Sequence, residues 1–177
     1  MLYQREVSSP VGELVLIGTD AALAGIWRKE SCPYPPQFPG ETIVRGDAPV
    51  LTQTEEWLER YFDGEPADGR EIPLAMHGTA FRREVWEIMR EIPYGQLMTY
   101  GEIARILAER RGIPRMAAQA VGGAVGHNPF YIVIPCHRVV GTGGNLVGYG
   151  GSMWMKKWLL AHEGVDLTGF WDPAERR

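Results

Sequence analysis

Cysteine is scarce in this chain, and long apolar runs are missing altogether. The two cysteines, Cys32 and Cys136, can form at most one disulfide, which is too few for a disulfide framework. The four histidines and these cysteines lack the paired spacing of a zinc site, so we expect no metal. No stretch approaches the roughly 18 consecutive apolar residues of a transmembrane helix. The first residues lack the basic-then-apolar pattern of a signal peptide, so the sequence predicts a cytoplasmic protein without a membrane partner.

The composition that remains is that of a globular protein with unevenly distributed charge. Of the 177 residues, 45% are hydrophobic and 23% are charged, which excludes a disordered chain and fits one large domain or two small ones. The formal net charge is −4, yet residues 100–160 carry 7 Lys and Arg against 2 Asp and Glu. Residues 1–70 show the opposite balance, 6 against 12. A basic stretch in an acidic protein indicates either a polyanion partner or an ordinary solvated surface.

The first half of the sequence is typical of strands and turns followed by one helix. Three short apolar runs are separated by turn residues; they are residues 7–9, 13–18 and 23–27. Frequent Pro and Gly predict a loop over residues 31–49. Residues 52–62 follow with the apolar spacing of an amphipathic helix, and residues 63–71 form a polar linker. We therefore expect a small α/β domain with an antiparallel sheet over residues 1–70.

The second half begins with two helices whose ends are marked in the sequence. Thr79 precedes a helix with apolar residues at three- and four-residue steps, which the turn at residues 93–95 ends. Thr99 and Glu102 have the spacing of a capping box, in which the hydroxyl and the carboxylate each accept a backbone N–H. Gly112 then ends the second helix.

A third helix of unusual composition follows. Pro114 fits its first turn, and the helix continues through residues 116–125, which makes the pair a helix-turn-helix candidate. The adjacent Gly122 and Gly123 each cost a helix about 1 kcal/mol relative to alanine. Two explanations stay open. The glycines permit close packing within the protein, or they keep the helix slim enough to enter a DNA minor groove only about 6 Å wide.

Cys136 stands beside His137 and Arg138, after an apolar run that predicts a buried strand at residues 130–134. Neighbouring cations favour the reactive thiolate form of a cysteine. Adjacent residues of an extended chain point to opposite faces, so a bridging water would carry the proton from Cys136 to His137. Taken alone, the pair also fits a buried structural cysteine.

The pattern around Cys136 extends over much of the second half. Its centre is Ile134-Pro135-Cys136-His137-Arg138-Val139-Val140, and matching segments lie at residues 99–104, 120–124, 128–129, 148–149, 156 and 158–164. In this order and spacing they resemble the O6-alkylguanine-DNA alkyltransferase (methylated-DNA–protein-cysteine methyltransferase) family. The resemblance is strong over residues 79–164, and residues 9–14 also look like family members.

The resemblance implies a two-domain α/β (α+β) fold and a suicide repair enzyme without a cofactor. Residues 1–70 would form an N-terminal scaffold of ribonuclease-H-like type. Residues 78–165 would form a mostly helical winged helix-turn-helix domain for DNA binding and alkyl transfer, followed by a polar tail at 166–177. A monomer would bind double-stranded DNA through the minor groove and flip out the damaged base. Its cysteine would then take the alkyl group of O6-alkylguanine or O4-alkylthymine, once per molecule.

The resemblance also assigns roles to single residues near the thiol. Cys136 would be the nucleophile, and His137 would accept its proton through water. Glu163 would orient and charge-stabilise His137. Asn128 would brace the turn between the helix-turn-helix and the active-site strand, and Arg138 would form a structural ion pair.

Contacts with DNA follow from the same resemblance. Tyr100 would contact the flipped nucleotide and donate a hydrogen bond to the departing guanine, while Tyr149 would pack on the base. Gln119 stands where many members carry an arginine that fills the gap in the duplex, and Arg115 would contact a phosphate instead. Further substrate-binding positions are Val139, Gly151 and Ser152.

Besides Gln119, one loop departs from the family pattern. The residues after Tyr149 continue through Met153, Trp154 and Met155, which predicts a bulkier loop beside the alkyl pocket or simple inward packing.

Three other functions compete with repair. A non-catalytic alkyltransferase-like protein would sense alkylated bases and recruit other repair, but such relatives lack the cysteine. A cysteine hydrolase has the right residue types but leaves the helix pair unexplained. A transcriptional regulator would need a further sensing domain.

Overall fold

The computed structural model describes residues 1–31, 38–147 and 152–176. Within these ranges the chain divides into two compact units. The first contains Met1–His77 together with Pro129–Val133, and the second contains Gly78–Asn128 and Ile134–Arg177. No helix in the described ranges is long and apolar enough to cross a membrane.

The first unit contains a four-stranded sheet in the order β3-β2-β1-β4. The strands are β1 (Leu2–Val7), β2 (Leu14–Gly18), β3 (Leu23–Arg28) and β4 (Ile43–Arg45). β1–β2 and β2–β3 are antiparallel, as expected, but β4 pairs in parallel with β1. The sheet is therefore mixed, and the predicted loop over residues 31–49 contains a strand. A three-residue parallel edge strand is too short to leave a periodic pattern in the sequence.

Helix α1 (Pro49–Phe62) packs against this sheet. It begins three residues before the predicted start, because Pro49 occupies the first turn, where its missing N–H costs nothing. Its buried residues recur at helical spacing: Val50, Leu51, Thr54, Trp57, Leu58 and Tyr61. The rings of Trp57 and Tyr61 stack with centroids 5.6 Å apart. Because the buried side of α1 packs on the buried strands, the apolar core of this unit lies between helix and sheet.

Residues 130–134 do not form the predicted strand. They form a turn in which Ile132 has φ 71°, and a single bridge joins Phe130 to Ile26 of β3. The Ile26 N–H donates to Pro129 O (2.9 Å), and the Tyr131 N–H donates to Ile26 O (3.2 Å). A short buried apolar run has the same composition in a strand and in a buried turn, which is why the prediction was wrong. Because of this bridge, Pro129–Val133 belong to the first unit although the sequence placed them in the second domain.

The second unit begins with three helices that pack on one another, α2 (Ala80–Arg90), α3 (Tyr100–Arg111) and α4 (Ala118–Gly126). The Thr79 hydroxyl accepts the Arg82 N–H and starts α2. The capping box of α3 is complete, since Thr99 Oγ1 accepts the Glu102 N–H and Glu102 accepts the Thr99 N–H. Gly112 ends α3 in the left-handed conformation at φ 64°, as predicted.

Helix α4 begins later than the sequence indicated. Its first residue is Ala118, so Pro114, Arg115 and Met116 lie in the turn rather than in the helix. The predicted pair of helices joined by a turn is nevertheless present. Trp86 of α2 donates its indole N–H to Ala124 O (2.9 Å), which fixes the buried side of α4.

Two short strands and a last helix complete this unit. β5 (Met98–Thr99) pairs in parallel with β6 (Val139–Val140), and α5 (Met153–His162) follows. The segment predicted as a polar tail is partly packed, because Leu167 and Phe170 contact the cluster of Val140, Leu146 and Leu160. The Leu146 N–H also donates to Trp171 O (2.9 Å).

Candidate active site

Cys136 lies in a single turn of 3-10 helix, Cys136–Arg138, directly before β6. The expectation that Cys136 and His137 point to opposite faces of an extended chain is therefore wrong. Pro135 cannot donate to a sheet ladder, and the turn begins right after it. All three residues of the turn are buried, with Cys136 only 4% exposed.

Glu163 is the centre of a buried polar network. His137 Nε2 donates to its Oε2 at 2.5 Å, and Arg138 Nε donates to its Oε1 at 2.7 Å. The Gly95 N–H donates to Oε1 as well (2.9 Å). Burial alone would raise the pKa of Glu163, but the His137 and Arg138 donors outweigh it and hold the pKa well below its usual range. Glu163 is therefore an ionised, acceptor-only group.

This network fixes the protonation state of His137. Because the ionised Glu163 can only accept, His137 Nε2 carries the ring proton, which leaves a lone pair on Nδ1. Burial lowers the pKa of His137 below its usual value, although Glu163 acts in the opposite direction. His137 is thus neutral, and its Nδ1 has no hydrogen-bond partner in the described part of the chain. A buried neutral imidazole with an available lone pair is suited to accept a proton.

Arg138 joins the turn after α2 to Glu163. Its Nη1 donates to Ile92 O at 2.7 Å, and its guanidinium carbon lies 5.8 Å from the centre of the Tyr94 ring. With the two bonds from Nε and Nη2 to Glu163, all three guanidinium nitrogens donate hydrogen bonds. This is the structural ion pair that the family resemblance implied.

Asn128 closes the turn that precedes Cys136. It is buried, and its Nδ2 donates to Ile134 O at 3.0 Å. This bond joins the second residue after α4 to the residue two positions before the thiol. Asn128 therefore positions the chain around Cys136.

Lys156 is a feature of the site that the sequence reasoning missed. Its side chain is fully buried, and Nζ donates to Val139 O (2.7 Å) and Leu146 O (2.6 Å). Burial lowers the pKa of Lys156 to about 8, opposed by the nearby Cys136 thiolate. Lys156 matched the family pattern without an assigned role. A lysine on the same helix face as buried Leu159 and Leu160 was the available signal.

Tyr100 begins α3 and lies near the thiol. Burial, and next the charge of the Cys136 thiolate, raise the pKa of Tyr100 to about 12. The phenol therefore keeps its proton at neutral pH and is a hydrogen-bond donor. A Cβ placed on Gly122 of α4 would lie 3.8 Å from the Tyr100 ring, so that face of α4 borders the tyrosine.

The glycines of α4 are not explained by packing. The Gly122 distance of 3.8 Å is an ordinary van der Waals contact, and a Cβ on Gly123 would meet no described atom within 4 Å. Gln119 and Ala120 are exposed, as is Arg115 in the preceding turn. The internal-packing explanation is therefore not supported, and α4 presents a narrow face without bulky side chains.

The remaining predicted positions differ in their surroundings. Val139 is fully buried in β6, and Ser152 begins α5 by accepting the Met155 N–H at 3.1 Å. Tyr149, Gly151 and Cys32 lie outside the described residues.

The segment of Met153, Trp154 and Met155 was predicted as a loop beside the pocket, but it forms the first turn of α5. Met155 is buried, Met153 packs on the cluster at Val140, and Trp154 is 55% exposed. Within the described ranges, no group of three or more His, Cys, Asp or Glu could hold a metal ion.

Comparison with known proteins agrees with this architecture. A family model described as the DNA-binding domain of 6-O-methylguanine DNA methyltransferase matches residues 80–165. The methylated-DNA–protein-cysteine methyltransferase of Haemophilus influenzae is 40% identical over 165 residues, or 93% of this chain and 87% of that protein. The protein of the same name from Mycolicibacterium paratuberculosis is 43% identical over 174 residues, or 96% and 99%.

A solved structure shows the same fold. The crystal structure of Mycobacterium tuberculosis OGT in complex with DNA has a TM-score of 0.75 and 38% identity, and the match covers 92% of this chain and 93% of that one. In the described residues, a four-stranded sheet, five α-helices and a buried Cys-His pair thus define an alkyltransferase-type α/β protein. This chain belongs to the methylated-DNA–protein-cysteine methyltransferase family, which confirms the resemblance seen around Cys136.

Proposed function

We propose that this protein is a methylated-DNA–[protein]-cysteine S-methyltransferase that repairs DNA by moving an alkyl group from O6 of guanine to Cys136. The observation that carries this proposal is the state of His137. Its Nε2 is held by the ionised Glu163, and its Nδ1 has no hydrogen-bond partner among the described residues. A base oriented in this way, on the residue next to a buried cysteine, activates a thiol as a nucleophile.

The transfer is a single displacement. The thiol proton passes through a water to His137 Nδ1, and the Sγ thiolate attacks the alkyl carbon. The new S–C bond forms as the C–O6 bond breaks, and the electron pair of that bond leaves with guanine. The Tyr100 hydroxyl, which keeps its proton at neutral pH, donates a hydrogen bond to the leaving base. The proton then returns from His137 through water to the departed guanine, so that both groups end neutral. The thioether is stable, so each molecule reacts once.

Lys156 and Arg138 support this chemistry in two different ways. The Lys156 ammonium, buried beside the thiol, favours the thiolate electrostatically. Arg138 keeps Glu163 ionised and therefore keeps the ring proton of His137 on Nε2. Asn128 holds the turn in which the nucleophile lies.

DNA binding is assigned to the helix pair α3 and α4, which we interpret as a winged helix-turn-helix. The narrow face of α4 suits the minor groove, because its glycines and alanines allow close approach to the sugar edges. A base inside a duplex is out of reach of a buried thiol, so the alkylated guanine must be flipped out. Gln119 would fill the gap it leaves, and Arg115 would contact a phosphate.

The other substrate-binding positions carry over from the family resemblance. Val139, Gly151 and Ser152 would contact the substrate, Tyr149 would pack on the base, and O4-alkylthymine would be a second substrate. We assign the scaffold of residues 1–70 to a ribonuclease-H-like type and the alkyl-transfer domain to residues 78–165. Action as a monomer in the cytoplasm stays a prediction from the sequence.

The test is a stoichiometry experiment. Excess duplex DNA with one O6-methylguanine is incubated with the protein, then digested to nucleosides and quantified by mass spectrometry. We expect guanine to be restored in an amount equal to the protein and no further, while a Cys136→Ala variant restores none. Turnover beyond one equivalent, or loss of the base from DNA, would contradict the proposal. Binding of the lesion without any restored guanine would instead support the non-catalytic sensing function.

A further inference from the structure

A groove of about 340 Å³ runs along α3 and the turn that joins it to α4. Its lining includes Gly101, Arg105, Glu109, Arg115, Met116 and Ala118. It lies entirely within the second unit. The proposed function gives this groove no role beyond a phosphate contact for Arg115.

The two arginines of the groove differ from their neighbours on α3. Arg110 pairs with Glu91 at 3.7 Å, and Arg111 pairs with Glu84 at 2.5 Å. By contrast, the exposed side chains of Arg105 and Arg115 form no ion pair or hydrogen bond to any other described residue. Their charges are therefore not neutralised within the part of the chain that the structure describes.

The groove adjoins the surface assigned to DNA. Gly101 directly follows Tyr100, which borders α4 at Gly122. At the other end, Ala118 directly precedes Gln119. A strand of DNA that follows the exposed face of α4 would therefore pass over this groove with its backbone.

We propose that this groove binds a phosphate of the DNA backbone and that Arg105 and Arg115 hold it; this rests on the proposed function. A guanidinium presents a planar set of donors that matches phosphate oxygens, and its charge replaces condensed counterions on DNA. Glu109 also lines the groove, and its carboxylate repels a phosphate. The two arginines supply the charge that Gln119 does not bring to α4.

The experiment measures the salt dependence of binding. Fluorescence anisotropy gives Kd for an undamaged duplex at a series of salt concentrations, for the wild type and for Arg105→Gln, Arg115→Gln and Arg110→Gln. Loss of one phosphate contact lowers the magnitude of the slope of log association constant against log salt by about 0.9. Because both arginines hold the same phosphate, we expect a decrease of up to about 0.9 for each groove variant and of about 0.9 for the Arg105→Gln/Arg115→Gln double variant. Arg110→Gln removes one positive charge from α3 outside the groove and should keep the wild-type slope.

The variant Glu109→Gln tests the same groove with the opposite expected effect on DNA affinity. Removal of the repelling carboxylate should tighten binding at low salt. Circular dichroism melts should show unchanged midpoints, because all four side chains are exposed.

Two results would overturn the inference. If the slopes of the groove variants equal that of Arg110→Gln, while the wild type still takes up a methyl group from lesion DNA, the phosphate site is wrong and the proposed function stands. If the wild type neither binds duplex DNA nor takes up a methyl group, the proposed function fails, and the groove inference fails with it.

Discussion

Among single residues, Glu163 decides the protonation state of His137, the candidate general base. It accepts hydrogen bonds from His137, Arg138 and the Gly95 N–H while its side chain is fully buried. Such a carboxylate stays ionised only because its donors replace water. Since it can only accept, the ring proton of His137 must be on Nε2, and the base faces away from Glu163.

The rate of alkyl transfer should therefore stay high below pH 6.5, the ordinary pKa of histidine. Neutral His137 is the form that accepts the thiol proton. Burial lowers the pKa of His137, so this form persists to more acidic pH than in an exposed histidine. Single-turnover rates with saturating lesion DNA between pH 5 and 8.5 test this. An acid limb with its midpoint at or above pH 6.5 would contradict it.

Glu163→Gln should slow transfer by a factor on the order of 10², the lower end of what a general base contributes. The neutral amide no longer fixes the His137 tautomer, and it removes the negative charge that favours protonated His137 during the reaction. Glu175→Gln, which breaks the exposed ion pair with Lys157, is the matched control. Single-turnover rates are measured after circular dichroism has shown that both variants are folded. A rate for Glu163→Gln within twofold of the control would count against the role of this carboxylate.

Lys156→Met should raise the apparent pKa of the Cys136 thiol, because a buried cation that favours the thiolate is lost. The pH dependence of iodoacetamide alkylation measures this directly. Lys157→Met is the control, since Lys157 lies next in sequence but pairs with Glu175 instead. An unchanged alkylation midpoint in Lys156→Met would show that the lysine serves only to hold Val139 and Leu146.

Among the elements, α4 shows a conflict between stability and function. Gly123→Ala should raise the free energy of unfolding by up to about 1 kcal/mol, because alanine favours a helix and its Cβ meets no described atom within 4 Å. The same methyl group should weaken binding to duplex DNA if this face enters the minor groove. Urea denaturation and anisotropy titration measure the two effects. Unchanged DNA affinity in a stabilised variant would remove α4 from the interface.

Elements with local signals could be predicted from the sequence. Thr79, the Thr99–Glu102 capping box and Gly112 each act within a few residues, so the patterns placed the start of α2 and both ends of α3 correctly. The start of α4 was predicted too early at Pro114, because a proline that fits a first helical turn fits a preceding turn equally well. Only the structure shows that residues 130–134 form a turn with one bridge to Ile26, since that pairing joins residues distant in sequence.

The residues of the candidate site that belong to a sequence motif were predictable. Cys136, His137, Glu163 and Asn128 followed from the resemblance, and the structure brings His137 and Glu163 into contact. The contacts of Lys156 were not predictable, because both of its partners are backbone carbonyls, of Val139 and Leu146. Any residue type could supply those carbonyls, so no residue pattern marks them.

For the molecule as a whole, the two units are not two continuous stretches of chain. Pro129–Val133 belong to the first unit, although residues on both sides belong to the second. The turn fits closely there, since a Cβ on Gly69 would lie 2.1 Å from Val133 O. The chain that leads from α4 to Cys136 thus passes through the N-terminal unit.

A fragment of residues 78–177 should therefore not fold into an active domain. Without β3 it lacks the Ile26 partner of Phe130, and the buried side chains of residues 130–133 lose their surroundings. We expect aggregation or strong binding of a hydrophobic dye, and no methyl uptake from lesion DNA, with the full chain as control. A soluble fragment that melts cooperatively and takes up a methyl group would contradict this.

Cys136 is the proposed alkyl acceptor, and peptide mapping by mass spectrometry identifies the residue that is methylated. The protein is incubated with duplex DNA that carries one O6-methylguanine, digested and sequenced by fragmentation, with undamaged duplex as control. We expect one added methyl group, located on Cys136, in nearly every molecule and only with lesion DNA. A methyl group on another residue, or an unmodified Cys136 after the lesion has disappeared, would contradict it.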